Sequence, residues 1–456
     1  MIKYILKNIK VETIFLFFCL VFGFIFVFVT APFAVADESS HFLKAWDVSQ
    51  GHFIQKNPLI TVPKSIGNSV GNVILSSPNI IDVMSLERNE YLSYFNKPLN
   101  IHETQKVDIA NVAGYPFLPY LAPAFIFKIC ELLNLSPLLL MYFGRLINLI
   151  IYIIIVYYGI KLLPLGKNMF LLIVLMPMSL SEAASLSADS LNMALSFFTT
   201  CLFLKLALNK EKIQRNDVVL LSLSLLGIAL SKQIYILLGL LFFMILKSNF
   251  DNKKDIITHF LPIILPSSIT VVIWNFISGY SGIINSMVSF QSSNGFNTSN
   301  FLNMVIDTII MKFNYIITSF VGYFGWLTKC YPLPIFLVYL YLIILVIVPL
   351  IETTKFQLSA KQKIINFLIF SLGSLVLFTI SFSWEPVGSK IINGIQGRYF
   401  IPFIPLFFLV LQNKKINNYF DKEKIQFYLK VFIISFIGIM LSISSYILYY
   451  GRISFF

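Results

Sequence analysis

Apolar runs of about twenty residues alternate with short polar stretches along the whole chain. A run of this length matches the hydrocarbon thickness of a bilayer when it is coiled as an α-helix. The strands of a membrane barrel would instead alternate polar and apolar positions over about ten residues. The pattern therefore predicts an all-α polytopic membrane protein, with a single integral membrane domain over residues 1–456.

Lysine-rich clusters between the apolar runs predict how the chain crosses the membrane. The six clusters are Lys3/Lys7/Lys10, Lys161/Lys167, Lys205/Lys210/Lys212/Arg215, Lys247/Lys253/Lys254, Lys355/Lys361/Lys363 and Lys414/Lys415/Lys422/Lys424. Basic loops stay in the cytoplasm, and placing all six there also puts the N-terminus inside. We then expect eleven spans in the cytoplasmic membrane, and the odd number puts the C-terminus outside. The spans are at about 13–36, 138–163, 168–188, 190–208, 217–231, 233–247, 259–279, 333–351, 364–383, 399–412 and 427–450.

Two further apolar segments do not fit as crossings. Residues 115–133 contain three prolines and two charged residues, and we expect a re-entrant or interfacial segment there. The second segment, residues 301–326, carries Asp307 and Lys312 in an amphipathic pattern and lies in a second outer loop over 280–332, where we expect it on the outer surface. The longest hydrophilic region, 37–114, forms the first outer loop in this scheme and opens with an amphipathic helix over 37–50.

Composition and charge narrow the class of protein. Hydrophobic residues make up 57% of the chain, charged residues 12%, and the mean hydropathy is +0.81. A soluble protein has about 45–50% hydrophobic and about 25% charged residues. The composition therefore excludes a soluble enzyme. The net charge of +13 comes from basic loops rather than from a nucleic-acid-binding motif, and we expect no nucleic-acid partner. The four cysteines show no metal or redox spacing.

Two carboxylates open the first outer loop. Asp37 and Glu38 lie four and three residues before His41, so all three share one face of the predicted helix. Carboxylates at membrane depth commonly serve function. This pair could take a proton from an acceptor hydroxyl, or hold a divalent cation against a phosphate. The alternative is structural: Asp37 caps the helix and Glu38 interacts with its dipole.

The order of short motifs resembles a family of bacterial membrane proteins catalogued as domain of unknown function 2142. The motifs are Pro32, Asp37-Glu38-x-x-His41, Ala45, Gly51, Tyr115-Pro116-x-x-Pro119-Tyr120, Gly144-Arg145-Leu146, Met176-Pro177, Ser187-Ala188-Asp189, Ser231-Lys232, Gly322-x-x-Gly325-Trp326 and Gln396-Gly397-Arg398-Tyr399. The acidic pair after the first span also resembles the entry motif of GT-C glycosyltransferases, protein O-mannosyltransferases included. In those enzymes the acidic residue of the first outer loop is a catalytic base or a metal-site residue. The resemblance thus implies a GT-C-like fold in which Asp37 and Glu38 are catalytic.

A second outer acidic residue, Asp189, lies where two predicted spans meet and resembles the GT-C layout. Its alternative role is a helix N-cap. Glu182 is a weaker candidate of the same kind. The sequence suggests no cofactor beyond a divalent cation, which Asp37, Glu38 and Asp189 could hold.

Two cations are expected at the headgroup level on the outer side. Arginine binds phosphate through two donors, so we expect Arg398, with its neighbour Tyr399, to bind the phosphate of a lipid-linked sugar. For Lys232, phosphate binding and simple headgroup contact remain equally open. His41 is placed with these substrate-binding residues. Arg145 is expected in a structural ion pair with Glu131 or an outer-loop carboxylate.

Together these residues predict an inverting membrane glycosyltransferase that uses a polyprenyl-phosphate-linked sugar. Its acceptor would be a cell-surface glycan or a lipid-linked molecule on the outer face, with Asp37 as general base. One alternative is a transporter or flippase of lipid-linked glycans, for which ionisable or broken-helix features near the bilayer midplane are typical. Another is a non-catalytic subunit of a polysaccharide assembly complex.

Overall fold

Helices account for most of the chain in the computed structural model, which describes residues 8–67, 95–209, 212–278, 298–326, 329–382, 385, 389–413 and 422–453. The α-helices α1 to α15 are, in chain order, Val11–Val29, Glu38–Ser49, Ala110–Ala113, Leu118–Leu132, Pro137–Leu162, Lys167–Val174, Pro177–Ala183, Ala188–Leu208, Arg215–Ala229, Lys253–Ile277, Thr298–Val321, Ile335–Ile351, Ala360–Phe382, Ile404–Val410 and Lys422–Ile453. Two 3₁₀ helices matter below, Gln233–Met244 and Gly397–Phe400. The strands β1 to β4 are Leu59–Pro63, Thr104–Asp108, Tyr323–Trp326 and Lys329–Pro332.

Seven of these helices, within the described ranges, are long and apolar enough to cross a membrane: α1, α5, α8, α10, α11, α13 and α15. Six of the seven coincide with predicted spans, and α11 does not. The class of an all-α membrane protein is therefore confirmed. The helices α9 and α12 also lie at predicted spans but have only 15 and 17 residues. The count of eleven crossings stays a prediction.

Four predicted spans are not continuous α-helices. In the first, residues Cys19–Gly23 of α1 form a π-helical turn. The segment 168–188 divides into α6 and α7, because Pro177 has no amide hydrogen and begins a new helix. The segment 399–412 divides into the 3₁₀ turn Gly397–Phe400 and α14. The segment 233–247 contains the 3₁₀ helix Gln233–Met244. Hydropathy records where these segments are apolar, but not the pattern of their backbone hydrogen bonds.

The two segments that we predicted not to cross are both helical. The helix α4, at predicted segment 115–133, has 15 residues and contains Pro123 in its interior. The helix α11 lies where an amphipathic surface segment was predicted, and its length and composition make it a candidate span. Residues 68–94 and 279–297 of the two predicted outer loops lie outside the described residues.

The first predicted outer loop contains the helix α2 and a pair of strands. Strands β1 and β2 pair antiparallel, from Leu59 opposite Asp108 to Pro63 opposite Thr104. The helix α2 packs against α4, and it is buried on nearly every side rather than lying on a membrane surface with its polar face free. Its charged and polar side chains therefore need partners inside the protein.

The two ends of the helix bundle differ in chemistry. At one end, which we call the basic end, Gln362 donates hydrogen bonds to the carbonyls of Ala207 and Met244 at 3.1 and 3.0 Å. The basic clusters at Lys205, Lys355 and Lys361 lie near these contacts in sequence. The other end carries Asp37 and the residues around it. Along α1 the two ends are about 24 Å apart, at 1.5 Å per residue between Val11 and Val27.

Candidate functional site

Asp37 stands immediately before α2 with a left-handed backbone, at φ 59° and ψ 6°. Non-glycine residues adopt this region in only a few per cent of cases, and strained residues cluster at functional sites. Although Asp37 occupies the N-cap position, its side chain makes no capping hydrogen bond, so the capping alternative is wrong. Its Oδ1 instead accepts a hydrogen bond from Asn111 Nδ2 at 3.3 Å, and the side chain is 32% exposed.

Glu38 forms a fully buried ion pair with Arg145. Nε of Arg145 donates to Oε1 at 2.7 Å and Nη2 donates to Oε2 at 2.5 Å. The same guanidinium donates to three carbonyls at the end of α1, those of Val27, Thr30 and Ala31. This confirms the expected structural ion pair between Arg145 and a carboxylate of the loop that follows α1. Because both oxygens of Glu38 are engaged, we assign it a structural role in place of the catalytic one.

Glu131, the other partner considered for Arg145, is paired elsewhere. Its carboxylate accepts from Lys128 Nζ at 2.9 and 3.0 Å, three residues earlier in α4. Glu38 makes one more contact, because its Oε1 also accepts from the backbone amide of Leu186 at 3.0 Å. The ion pair therefore joins the end of α1, the start of α2, the helix α5 and the turn before α8.

The guanidinium of Arg398 lies between two carboxylates, those of Glu182 and Asp37. Its Nη1 donates to Glu182 Oε1 at 2.7 Å, and its Nη2 lies 3.7 Å from Asp37 Oδ2. The longer distance is an electrostatic contact without a hydrogen bond. Nε of Arg398 has no hydrogen-bond partner among the residues described. Nη1 of the guanidinium is thus fixed by Glu182, Nη2 lies beside Asp37, and Nε is buried.

Gly397 explains how Arg398 reaches this position. A Cβ at Gly397 would lie 2.0 Å from the carbonyl oxygen of Ile316 and 2.4 Å from the amide of Phe320, both in α11. The Gly397 amide also donates to Ser319 Oγ at 2.8 Å. Only glycine permits this approach of the two backbones. The 3₁₀ turn is therefore pressed against α11, and Arg398 is held at the site.

Asp189 and Lys232 form the third buried ion pair described here, with Oδ1 and Nζ 2.6 Å apart and side chains 10% and 11% exposed. The Lys232 ammonium lies 5.4 Å from the ring centre of Tyr115 and 5.6 Å from that of Tyr399, within cation–π range. Ser187 caps α8, and its side chain accepts from the Asp189 amide. The N-cap alternative for Asp189 is therefore wrong.

His41 packs between two tyrosines. Its Nδ1 lies 2.8 Å from the hydroxyl oxygen of Tyr120, and its ring stacks on Tyr115 and Tyr120 with centres 5.8 and 5.7 Å apart. Burial, together with the positive charge of Lys232, lowers the pKa of His41 to about 3. The imidazole is neutral at physiological pH and supports the aromatic wall beside Lys232.

Lys44 fixes the segment that carries Asn111 and Tyr115. Its buried ammonium donates to the carbonyls of Val112, Ala113 and Tyr115, at 2.9, 2.7 and 2.7 Å. All three protons of the ammonium are used by these bonds. The segment that follows β2 is thereby held against α2, with the side chain of Asn111 on Asp37 and the ring of Tyr115 on Lys232.

A cavity of about 250 Å³ opens beside Arg398. Besides Arg398, its wall includes Ala36, Ser181, Tyr315 and Gln396. The wall also includes Val35, Met178 and Leu448, so it combines a cation and hydroxyl and amide groups with apolar side chains and suits a ligand that has both an anionic and an apolar part.

The predicted divalent cation finds no matching ligand set. No group of three or more His, Cys, Asp or Glu side chains that could hold a metal exists among the residues that the structure describes. Two of the three predicted ligands are taken by cations, since Glu38 binds Arg145 and Asp189 binds Lys232. The arrangement therefore does not fit the cation that the sequence suggested.

The structure brings Asp37, His41, Asp189, Lys232, Arg398 and Tyr399 into one cluster. The sequence missed Lys44, Asn111 and the tyrosines Tyr115 and Tyr120 as parts of it. The two tyrosines belong to one of the short motifs that carry the family resemblance, whereas no local signal marks Lys44 or Asn111. Their contacts depend on the return of the chain after β2.

Apolar helices that end at a cluster of buried ion pairs define an integral membrane protein with a polar site at one end of its bundle. Residues 20–407 match the family described as predicted membrane protein (DUF2142), and the chain belongs to that family. The match includes the whole site from Asp37 to Tyr399. No curated protein and no solved structure matches the chain.

Proposed function

We propose that the protein is a GT-C-type membrane glycosyltransferase with eleven spans. It transfers a sugar from a polyprenyl-phosphate donor to a cell-surface glycan or lipid-linked acceptor, with inversion. The observation that carries the proposal is the partly exposed carboxylate of Asp37, which caps no helix and lies 3.7 Å from the guanidinium of Arg398. Arg398 lines the cavity, and so does Ala36, the residue before Asp37. A base beside a phosphate-binding cation is what displacement of a lipid phosphate requires.

The reaction uses these groups in one displacement. The acceptor hydroxyl gives its proton to Asp37 while its oxygen forms a bond to the anomeric carbon. The bond between that carbon and the phosphate oxygen breaks, and its electron pair remains on the phosphate. Nη2 of Arg398, with the Lys232 ammonium, stabilises the added negative charge. Attack opposite the leaving phosphate inverts the anomeric centre and yields polyprenyl phosphate.

The distribution of charge supports an outer location for this chemistry. The positive-inside rule puts the basic end in the cytoplasm, and the site then lies at the outer face of the cytoplasmic membrane. Nucleotide sugars are absent there, so a donor must be carried on a lipid. The bilayer that surrounds the apolar helices gives such a donor direct access.

Replacement of Asp37 by Asn tests the base. Asn tolerates the left-handed backbone at this position and keeps an oxygen for Asn111. We expect Asp37→Asn to lower transfer by about a hundredfold or more. The assay is restoration of the surface glycan in a deletion strain, with each variant at matched membrane abundance.

Asp108→Asn is the matched control. Asp108 lies in the same loop, is exposed, and its Oδ1 accepts from the Ala110 amide at 2.7 Å. Asn makes the same turn contact, so this variant should restore the glycan fully. Full restoration by Asp37→Asn as well would rule out the mechanism.

A flippase of lipid-linked glycans is the second candidate, and one observation favours it. Two interrupted helical segments meet at the site, α6 with α7 and the 3₁₀ turn Gly397–Phe400 with α14, and interrupted helices are typical of transporter sites. Proteoliposomes with a fluorescent lipid-linked glycan separate the two functions. Translocation without transfer to an acceptor would establish the flippase, and the enzyme predicts the reverse.

A further inference from the structure

One face of α8 carries buried polar side chains along most of its length. The members of this polar row are Asn192, Ser196, Thr199 and Thr200, and each is 0% exposed. Their spacing of three or four residues places them on one side of the helix, which is the most buried of the seven candidate spans. None of their side-chain polar atoms has a hydrogen-bond partner among the residues that the structure describes. Because such burial is costly, the row points to a ligand that forms hydrogen bonds.

The hydroxyls of the polar row differ from those of other helices in the protein. Serine and threonine in a helix commonly bond to the carbonyl four residues earlier. The chain makes this bond in four other long helices, at Thr270, Thr318, Ser374 and Ser444. Ser196, Thr199 and Thr200 do not make it. Their hydroxyls therefore offer a donor and acceptors to a molecule outside the helix.

An ion pair and a hydrogen-bonded amide mark the two ends of the polar row. Asp189 lies three residues before the row and pairs with Lys232 at the site. Ala207 lies two turns after the row, and its carbonyl accepts from Gln362 of α13 at the basic end. The same amide donates to the Met244 carbonyl, at the end of the 3₁₀ helix that follows Lys232. The row therefore runs from the site toward the basic end, beside the contact of α8 with this 3₁₀ helix.

Asn366 of α13 adds a polar side chain near the basic end. It lies one turn after Gln362 and is 0% exposed, and within the described part of the chain its amide has no hydrogen-bond partner either. Since α13 leads away from the basic end at this point, Asn366 is one turn closer to the site than Gln362. It thus lies between the Gln362 contact and the last residues of the polar row.

Spacing and charge identify the ligand that fits the polar row. Successive polar groups from Asp189 to Thr200 are about 4.5–6 Å apart along the helix axis, at 1.5 Å per residue. A water molecule with one hydrogen bond on either side spans about 5.5 Å. Lys205 is the one charged residue after Asp189 in α8, and it pairs with Asp217 on another face. The row is therefore neutral, which disfavours an ion, and its complete burial disfavours a larger polar molecule.

We propose that the polar row binds a chain of water molecules between the Asp189–Lys232 pair and the Gln362 contact. Water donates to the amide and hydroxyl oxygens and accepts from their protons, so one kind of ligand satisfies every member. The chain connects the site with the basic end by hydrogen bonds, through a part of the bundle where lipid supplies none. The proposal does not rest on the sugar transfer, because no member of the row takes part in that reaction.

Hydroxyl-radical labelling of the full-length protein in detergent tests the proposal. A short X-ray pulse splits water into radicals, which modify the side chains next to bound water even where bulk water has no access. Phe203 reports on the row, because it is 0% exposed and lies one turn after Thr199 on the same face of α8. Phe15 of α1, also 0% exposed, is the internal control. We expect Phe203 to be labelled several-fold faster than Phe15.

The double variant Ser196→Ala/Thr199→Val removes two hydroxyls at nearly constant volume. Labelling of Phe203 should then fall to the rate of the internal control. Ser444→Ala is the matched variant, since Ser444 is also 0% exposed but its hydroxyl donates to a carbonyl of its own helix at 2.7 Å. It should leave the labelling of Phe203 unchanged.

The unfolding temperature of Thr199→Val provides a second, independent measurement. Loss of a hydroxyl that is bonded to water should lower this temperature, whereas loss of an unpartnered hydroxyl should raise it, because the cost of burying that group disappears. We expect the temperature to fall. Equal labelling of Phe203 and Phe15 in the unaltered protein, unchanged labelling of Phe203 in the double variant, or a rise in the unfolding temperature of Thr199→Val would overturn the proposal.

Discussion

The ion pair of Glu38 and Arg145 allows a quantitative prediction about stability. Both side chains are 0% exposed, and five guanidinium donor contacts reach Glu38 and the end of α1. The substitution Glu38→Gln keeps the shape of the side chain but leaves the Arg145 charge buried without its counter-charge. Breaking a buried pair in this way costs about 3–5 kcal/mol. Since native proteins are stable by about 5–15 kcal/mol, most of the margin of a weakly stable chain would be lost.

The counterpart variants separate charge from packing. Arg145→Met leaves Glu38 charged and removes the donors for three carbonyls, so it should destabilise at least as much. The double variant Glu38→Gln/Arg145→Met contains no buried charge at this place. The double variant should therefore lose less free energy of unfolding than the two single variants lose together.

Unfolding of the purified protein in detergent, followed by denaturant titration or by heating, measures these differences. The control is Glu103→Gln, whose partner Lys64 lies 3.4 Å away with both side chains more than half exposed. An exposed pair contributes about 0–1 kcal/mol. If Glu38→Gln were no more destabilising than Glu103→Gln, the assignment of Glu38 to a structural role would be refuted.

Two further predictions concern Lys44 and the crossing pattern. Lys44→Met leaves three carbonyls without their donor, so we expect the free energy of unfolding to fall by about 2 kcal/mol or more. Glycan synthesis should also be reduced, even at matched abundance. Wild-type stability and synthesis would show that Lys44 does not hold the segment after β2 in place. A cysteine introduced at Lys361, in a background without native cysteines, should resist an impermeant thiol reagent in intact cells and react after permeabilisation. Labelling of intact cells at this position would refute the eleven-span topology.

The long helices could be predicted from the sequence because bilayer thickness imposes a length on any apolar run that crosses. The interruptions within the predicted spans could not be predicted, since hydropathy does not distinguish the 3₁₀ helix Gln233–Met244 from an equally apolar α-helix. For the site, the sequence identified most of the charged residues, because a charged side chain in a largely apolar chain commonly serves function, but it missed Lys44. It could not assign the partner of Arg398: Glu182, rather than Asp37, makes the short contact to this guanidinium, although 216 positions separate the two residues.

The contacts of Arg145 have a consequence for how the chain is made. The Leu186 amide that completes the Glu38 environment lies 148 positions after that carboxylate. At about 5–20 residues per second, the ribosome needs about 7–30 s to synthesise this interval. During this time Glu38 has left the ribosome without its full set of partners, and Arg145 arrives only with the second long apolar segment. The Glu38 carboxylate can therefore meet its counter-charge only after the second long apolar segment has been synthesised.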